Sequence, residues 1–326
     1  MFTVHCIWLI FLVILPLLPG CASDKTSFHI NFGEGRVLEE TPYFPQQAYQ
    51  CGPASLAMLL SASGVETHPD ALAPRTYLPG RRGSLQLELV AASRGYNRIP
   101  YVIDQDISSL VAELRAGRPV LVLQNLGLNI LPAYHYAVAI GVLPPGKIVL
   151  RSGDKIRLEM DLEKFLATWK RADSWGIIVL RPGELPMNPD LLRYLNAVSA
   201  FELGGNLTQA AMGYLAAQTA WPEDQTVLFA LGNNYLSQTE YDKAEAIFRK
   251  LIKDNPNHIA ASNNLAETLV RQGCYSEAFM VVNEAVMAAD RIKSPLRDTV
   301  LLTRKEISQH LQQAGHASGT PCEKKP

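Results

Sequence analysis

The feature that most limits what this chain can fold into is a repeat. From Leu191 the sequence steps by 34 residues to Gln225 and again to Ile259, and the three windows superimpose without a gap. The middle window carries Leu228, Leu231, Gly232, Tyr235, Tyr241, Ala244, Phe248, Leu251 and Pro256. The same offsets hold Tyr194, Ala197, Val198, Phe201, Leu207, Ala210, Tyr214, Ala217 and Pro222 before it, and Ser262, Leu265, Ala266, Leu269, Tyr275, Ala278, Val282, Ala285 and Asp290 after it. Within each window the apolar residues recur at helical spacing on two helices. Polar breaks near Gly205-Asn206, Thr239-Glu240 and Gly273-Cys274 separate them. Ala210, Ala244 and Ala278 let paired helices approach closely, and Pro222 and Pro256 stop the second helix. A helix pair of this size buries its apolar face only by stacking on a neighbour, so a capping helix is expected over 295–313, with Leu296, Val300, Leu301, Leu302 and Ile307 spaced helically.

This pattern resembles the tetratricopeptide repeat over 191–292. The resemblance implies an all-α superhelix with a groove for a peptide or partner protein; the alternative use is a packing scaffold for the rest of the chain. The whole chain has 326 residues, enough for a second domain of ordinary size. Thirty Lys and Arg balance thirty-one Asp and Glu, which disfavours a nucleic-acid partner, because phosphate binding needs clustered surplus cations. No CxxC or HExxH motif is present, so neither metal nor other cofactor is expected.

The five cysteines require separate explanations. Residues 6–18 are an apolar run ending at Leu18-Pro19-Gly20-Cys21, which reads as a targeting segment rather than as fold. It resembles a bacterial lipoprotein signal spanning 1–21. That resemblance implies loss of Cys6, a lipid on Cys21 and, with Ala22 following, the periplasmic face of the outer membrane. Pro19 and the lack of Lys or Arg ahead of the run depart from the pattern and leave a plain signal peptide or uncleaved anchor open. Cys274 falls in an inter-helix break and Cys322 in a tail over 314–326; whether they pair is left open.

Between 41 and 181 the pattern changes to helices at 53–63, 84–94, 107–116 and 161–171. Strand-like runs occupy 99–103, 120–124, 134–142, 148–151, 156–160 and 175–181. These elements predict an α+β domain, closed by a Pro- and Gly-containing linker over 182–190. Cys51 opens the first helix, in Gln50-Cys51-Gly52-Pro53. A thiol there meets unpaired N–H groups and the positive end of the helix dipole, which predicts a stabilised thiolate. Gly52 predicts room for a substrate backbone. A thiolate nucleophile needs a base. Of seven histidines only His68, in a loop, and His135 lie within this domain. Alternation places His135 with the small Ala137, Ala139 and Gly141, which predicts open space beside it.

Gln46, then Cys51-Gly52-Pro53-Ala54, then His135-Tyr136-Ala137-Val138 resemble the bacteriocin-processing cysteine peptidases, which have a papain-like fold and cut leader peptides after a double glycine. The resemblance implies Cys51 as nucleophile, His135 as general base and Gln46 as oxyanion donor, with Gln47 its rival. The family's orienting aspartate is absent. Ser152 stands at its place, and Asp154 lies two residues on, on the same side if the strand continues. The expected protein is a membrane-tethered cysteine peptidase whose repeats recruit a protein or peptide. A weak or inactive peptidase-like binding lipoprotein and a cysteine acyltransferase are the alternatives.

Overall fold

The computed structural model describes residues 34–46 and 49–314. The signal segment with Cys6 and Cys21, the rival Gln47, and the tail with Cys322 lie outside the described residues.

The first domain is a seven-stranded antiparallel sheet with helices on both faces. Its strands are β1 (Arg36–Val37), β2 (Ile99–Val102), β3 (Val120–Asn125), β4 (Tyr134–Leu143), β5 (Lys147–Ser152), β6 (Lys155–Asp161) and β7 (Gly176–Leu180). They run in the order β2-β7-β3-β4-β5-β6, and β1 pairs with the far end of β4. The helices are α1 (Cys51–Ala62), α2 (Pro69–Thr76), α3 (Gln86–Arg94), α4 (Ile107–Arg115) and α5 (Leu162–Lys170). Leu56, Ala57, Leu59 and Leu60 of α1 pack on Leu121, Leu123, Tyr136, Ile177 and Val179, one face of three central strands. Nine of the twelve α1 residues are buried. An almost uniformly apolar helix of this kind belongs at the centre of a domain.

Three details depart from the expectation. Helix α2 was not legible from periodicity; His68 caps it by accepting from the Asp70 N–H, so this histidine starts a helix rather than sitting in a loop. The space that Gly141 leaves is filled by β1, because a Cβ there would strike the backbone of Arg36 and Val37. Gly52 likewise makes room for the Ser84 side chain, not for a substrate.

Seven further helices follow: α6 (Leu191–Glu202), α7 (Leu207–Ala220), α8 (Gln225–Ser237), α9 (Tyr241–Asp254), α10 (Ile259–Arg271), α11 (Tyr275–Ile292) and α12 (Arg297–Ala314). They form three antiparallel pairs and a cap. Tyr194, Phe201, Tyr214, Phe248 and the three alanines 210, 244 and 278 are buried. Helix α11 is 18 residues long against 14 for α7 and α9, because Asp290 stands where the earlier units have proline. Val300 and Ile307 hold α12 in place, whereas Leu302 points outward. Cys274 is buried and disulfide-bonded.

The described residues fall in one compact unit. The Pro-rich joint over 182–190 is bound along its length. Met187 N–H donates to Glu113 Oε1 at 2.6 Å, Asn188 Nδ2 to Ser109 Oγ at 3.2 Å and Asp190 N–H to the Tyr101 hydroxyl at 3.1 Å. Arg193 of α6 pairs with Asp104 at 2.6 Å.

Candidate active site

Strand β4 has two different edges. Toward β3 it is paired from Tyr134 to Ala139. Toward β5 its pairing ends at Val138, opposite Arg151. Beyond that point the β4 backbone is uncovered, and the segment leading into α1 fills the gap. Gln46 Nε2 donates to the Tyr136 carbonyl at 3.1 Å and to Ser55 Oγ of α1 at 3.1 Å. Its Oε1 accepts from Gly153 N–H at 2.9 Å, and its own N–H donates to the Gly153 carbonyl at 3.1 Å. One side chain thus ties the α1 helix, the β4 strand and the β5–β6 turn together. Tyr43 adds a bond from its hydroxyl to the Gly153 carbonyl at 3.1 Å.

Cys51 sits at the mouth of α1, half-buried, with its sulfur against the backbone N–H of Tyr136, the residue after His135. No side chain caps this helix. The N–H groups of Gly52 and of Cys51 itself are therefore directed at the sulfur. The chain turns into the helix through Tyr49, whose φ of 64° is left-handed, a conformation an aromatic residue holds only under tertiary constraint.

His135 Nε2 lies 2.8 Å from Ser152 Oγ. Asp154 does not reach it: Ser152 pairs with Lys155 across a tight turn, so the strand reverses at Gly153-Asp154 and Asp154 Oδ2 meets Lys155 Nζ at 3.2 Å in solvent. The expectation of a continuing strand is thereby corrected. A Gly-Asp pair between two apolar runs is a two-residue hairpin signal, with glycine supplying the positive φ of 59° seen at Gly153. That signal was available in the sequence. The packing of Ser84 over Gly52 and the bond from Gln46 to Ser55 carried no such local signal.

The electrostatics reverse the expected thiolate. Burial pushes the Cys51 thiol above its ordinary value, outweighing the three N–H groups that favour the anion. Burial also pushes the His135 imidazole below the ordinary histidine value. Both groups are therefore held neutral at pH 7. Among the described residues no group of three His, Cys, Asp or Glu side chains is arranged to hold a metal ion.

A half-buried thiol at a helix mouth, beside a strand carrying a histidine with a hydroxyl partner, defines the class: a cysteine-peptidase-like α+β domain. Residues 38–175 match the model of the Peptidase_C39 like family. Those residues thus resemble that family, and an all-helical region resembling tetratricopeptide repeats follows them. Among solved structures, it is similar to the peptidase domain of Streptococcus ComA, a bi-functional ABC transporter, at 20% identity over 43% of this chain and 98% of that one, with a TM-score of 0.37. A double glycine motif protease from an AMS/PCAT transporter is 20% identical over 45% of this chain and 93% of its own, with a TM-score of 0.33. The TPR2B domain of yeast Sti1 is 16% identical over 37% of this chain and 97% of its own, with a TM-score of 0.35. Among curated proteins no sequence matches the chain.

Proposed function

We propose that the protein is a thiol peptidase acting on a polypeptide, with Cys51 as nucleophile and His135 as base. The observation that carries this reading is the Cys51 sulfur at an uncapped helix mouth beside the β4 backbone, one residue from a histidine fixed by Ser152. With Nε2 engaged by Ser152, Nδ1 is the nitrogen that takes the thiol proton. The sulfur attacks the substrate carbonyl carbon as that proton leaves, since the resting pair is neutral. Negative charge on the carbonyl oxygen meets the N–H groups of Cys51 and Gly52. The tetrahedral species collapses to a thioester as His135 returns its proton to the leaving amine, and water then hydrolyses the thioester. Both Gln46 Nε2 hydrogens are already committed to Ser55 and Tyr136, which supports a positioning role; donation to the oxyanion requires exchange of one of those bonds.

The decisive experiment presents native chain and Cys51→Ala with a peptide library that includes Gly-Gly sites and reads products by mass spectrometry. Cleavage by the native chain alone, with a trapped thioester on Cys51, is the expected result. Ser152 in place of a carboxylate favours a second reading, a peptidase-like module that binds peptides; saturable binding without turnover is its signature. Product formed only when an amine acceptor is added indicates acyl transfer instead. We further propose that Cys21 carries lipid and tethers the chain at the periplasmic face of an outer membrane, and that the repeats receive a protein or peptide. Loss of palmitate incorporation in Cys21→Ser tests the tether.

A further inference from the structure

The β3–β4 hairpin, immediately before His135, is built unlike the rest of the surface. From Pro119 to Gly146 there is no Asp, Glu, Lys or Arg. At the tip, Ile130 is 91% exposed, Leu131 76% and Leu128 66%; Leu126 and Tyr134 are exposed below them. Scattered exposed apolar residues need no explanation, but a contiguous cluster on one projection does.

Below the exposed Asn129-Ile130 tip the hairpin backbone is hydrogen-bonded to itself. Leu128 and Leu131 exchange N–H to carbonyl bonds at 3.2 and 3.1 Å, and Leu126 N–H donates to the Ala133 carbonyl at 2.9 Å. Asn125 Oδ1 accepts from the N–H groups of Gly127 and Ala133 at 3.0 and 2.9 Å. Gly127 is required there, since a Cβ would strike the Leu131 carbonyl. Pro132 contributes no N–H. At the base, Arg171 donates Nε and Nη2 to the Asn125 carbonyl at 3.2 and 2.8 Å. The projection is thus convex, tied down, free of charge, rimmed by a tyrosine and footed by a guanidinium.

We propose that this hairpin inserts its tip into a lipid bilayer surface, which on the function proposed above holds the His135 end of β4 near the membrane. A tip residue as exposed as Ile130 lines no groove, so an immiscible fluid fits it better than an extended peptide does. The N–H groups of Leu126, Gly127, Leu128, Leu131 and Ala133 are satisfied within the hairpin, which lowers the cost of taking them out of water. Tyr134 and Arg171 stand at the level of the interface and headgroups, where an amphipathic ring and a cation are favoured.

The test uses a fragment that begins at residue 32, so that any N-terminal anchor is removed. Vesicles of phosphatidylethanolamine and phosphatidylglycerol are titrated against the native fragment and against L128S/I130N/L131S, with co-sedimentation as readout. The native fragment is expected to bind, and the triple variant to need at least tenfold more lipid at an unchanged melting temperature. Cys51→Ala should bind like the native fragment, so loss of the peptidase reading leaves this one standing. Absence of vesicle binding, or equal binding by the triple variant, overturns the proposal. An effect of the variant confined to peptide KM also overturns it and assigns the hairpin to substrate.

Discussion

Ser152 bears most directly on how the candidate pair works. Its hydroxyl fixes the His135 ring at 2.8 Å but offers no charge to an imidazolium. Burial lowers the His135 pKa, so the acid limb of kcat/KM should fall below about pH 6.5, the ordinary histidine value. Ser152→Asp places a carboxylate at that position, where an opposite charge raises a pKa by about 1–3 units. The limb should move up by at least about one unit, with a gain in kcat on the order of tenfold, about 1.4 kcal/mol of barrier. A pH-rate profile checks this, and an unmoved limb would falsify the assignment of Ser152 as partner. For the free enzyme, the iodoacetamide rate should rise with a midpoint above the usual thiol range of about 8.5. A midpoint near neutrality would mean that helix dipole and N–H groups outweigh burial after all. Gln46→Ala removes three hydrogen bonds that join three elements, at a cost of about 2–4 kcal/mol. Melting temperature and kcat should fall together. A loss of kcat at unchanged stability would instead identify Gln46 as a direct oxyanion donor.

At the scale of elements, the three helix pairs differ at their inner turns. Gly205 and Gly273 adopt φ of 91° and 82°, the left-handed geometry that ends a helix. The middle unit has Thr239 at φ 62° in the same place. A β-branched residue is strained there, so Thr239→Gly should stabilise the chain by about 0.5–1 kcal/mol. Thermal unfolding measures the gain, and destabilisation would show that the threonine side chain makes a contact worth more than its strain. The helix pairs were legible because they obey a period: Leu191, Gln225 and Ile259 each open a helix. Helix α1 was legible from its apolar run. Helix α2, eight residues with Pro74 inside it, carries no periodic signal and is held by burial of Leu72 and Thr76.

At the scale of the whole molecule, the sheet domain and the repeats meet at 182–190. Proline and glycine there read as a linker, and Glu113, 2% exposed, accepts Met187 N–H while pairing with Arg118 at 2.5 Å. The sheet and the repeats should therefore unfold in one transition. Glu113→Ala leaves Arg118 and Met187 N–H without their partner, costs about 3 kcal/mol and should split the transition in two; calorimetry of both chains decides it. What the sequence by itself determined is what repeats or sits within a few residues: the 34-residue stacking unit, the helix opening at Cys51 and the histidine on β4. Tertiary structure alone decided that burial raises the Cys51 thiol and that Gly52 and Gly141 admit Ser84 and β1. The physical reason is one of range. Periodicity and capping act over a turn or two of chain, whereas desolvation and close approach are set by segments that fold back from scores of residues away.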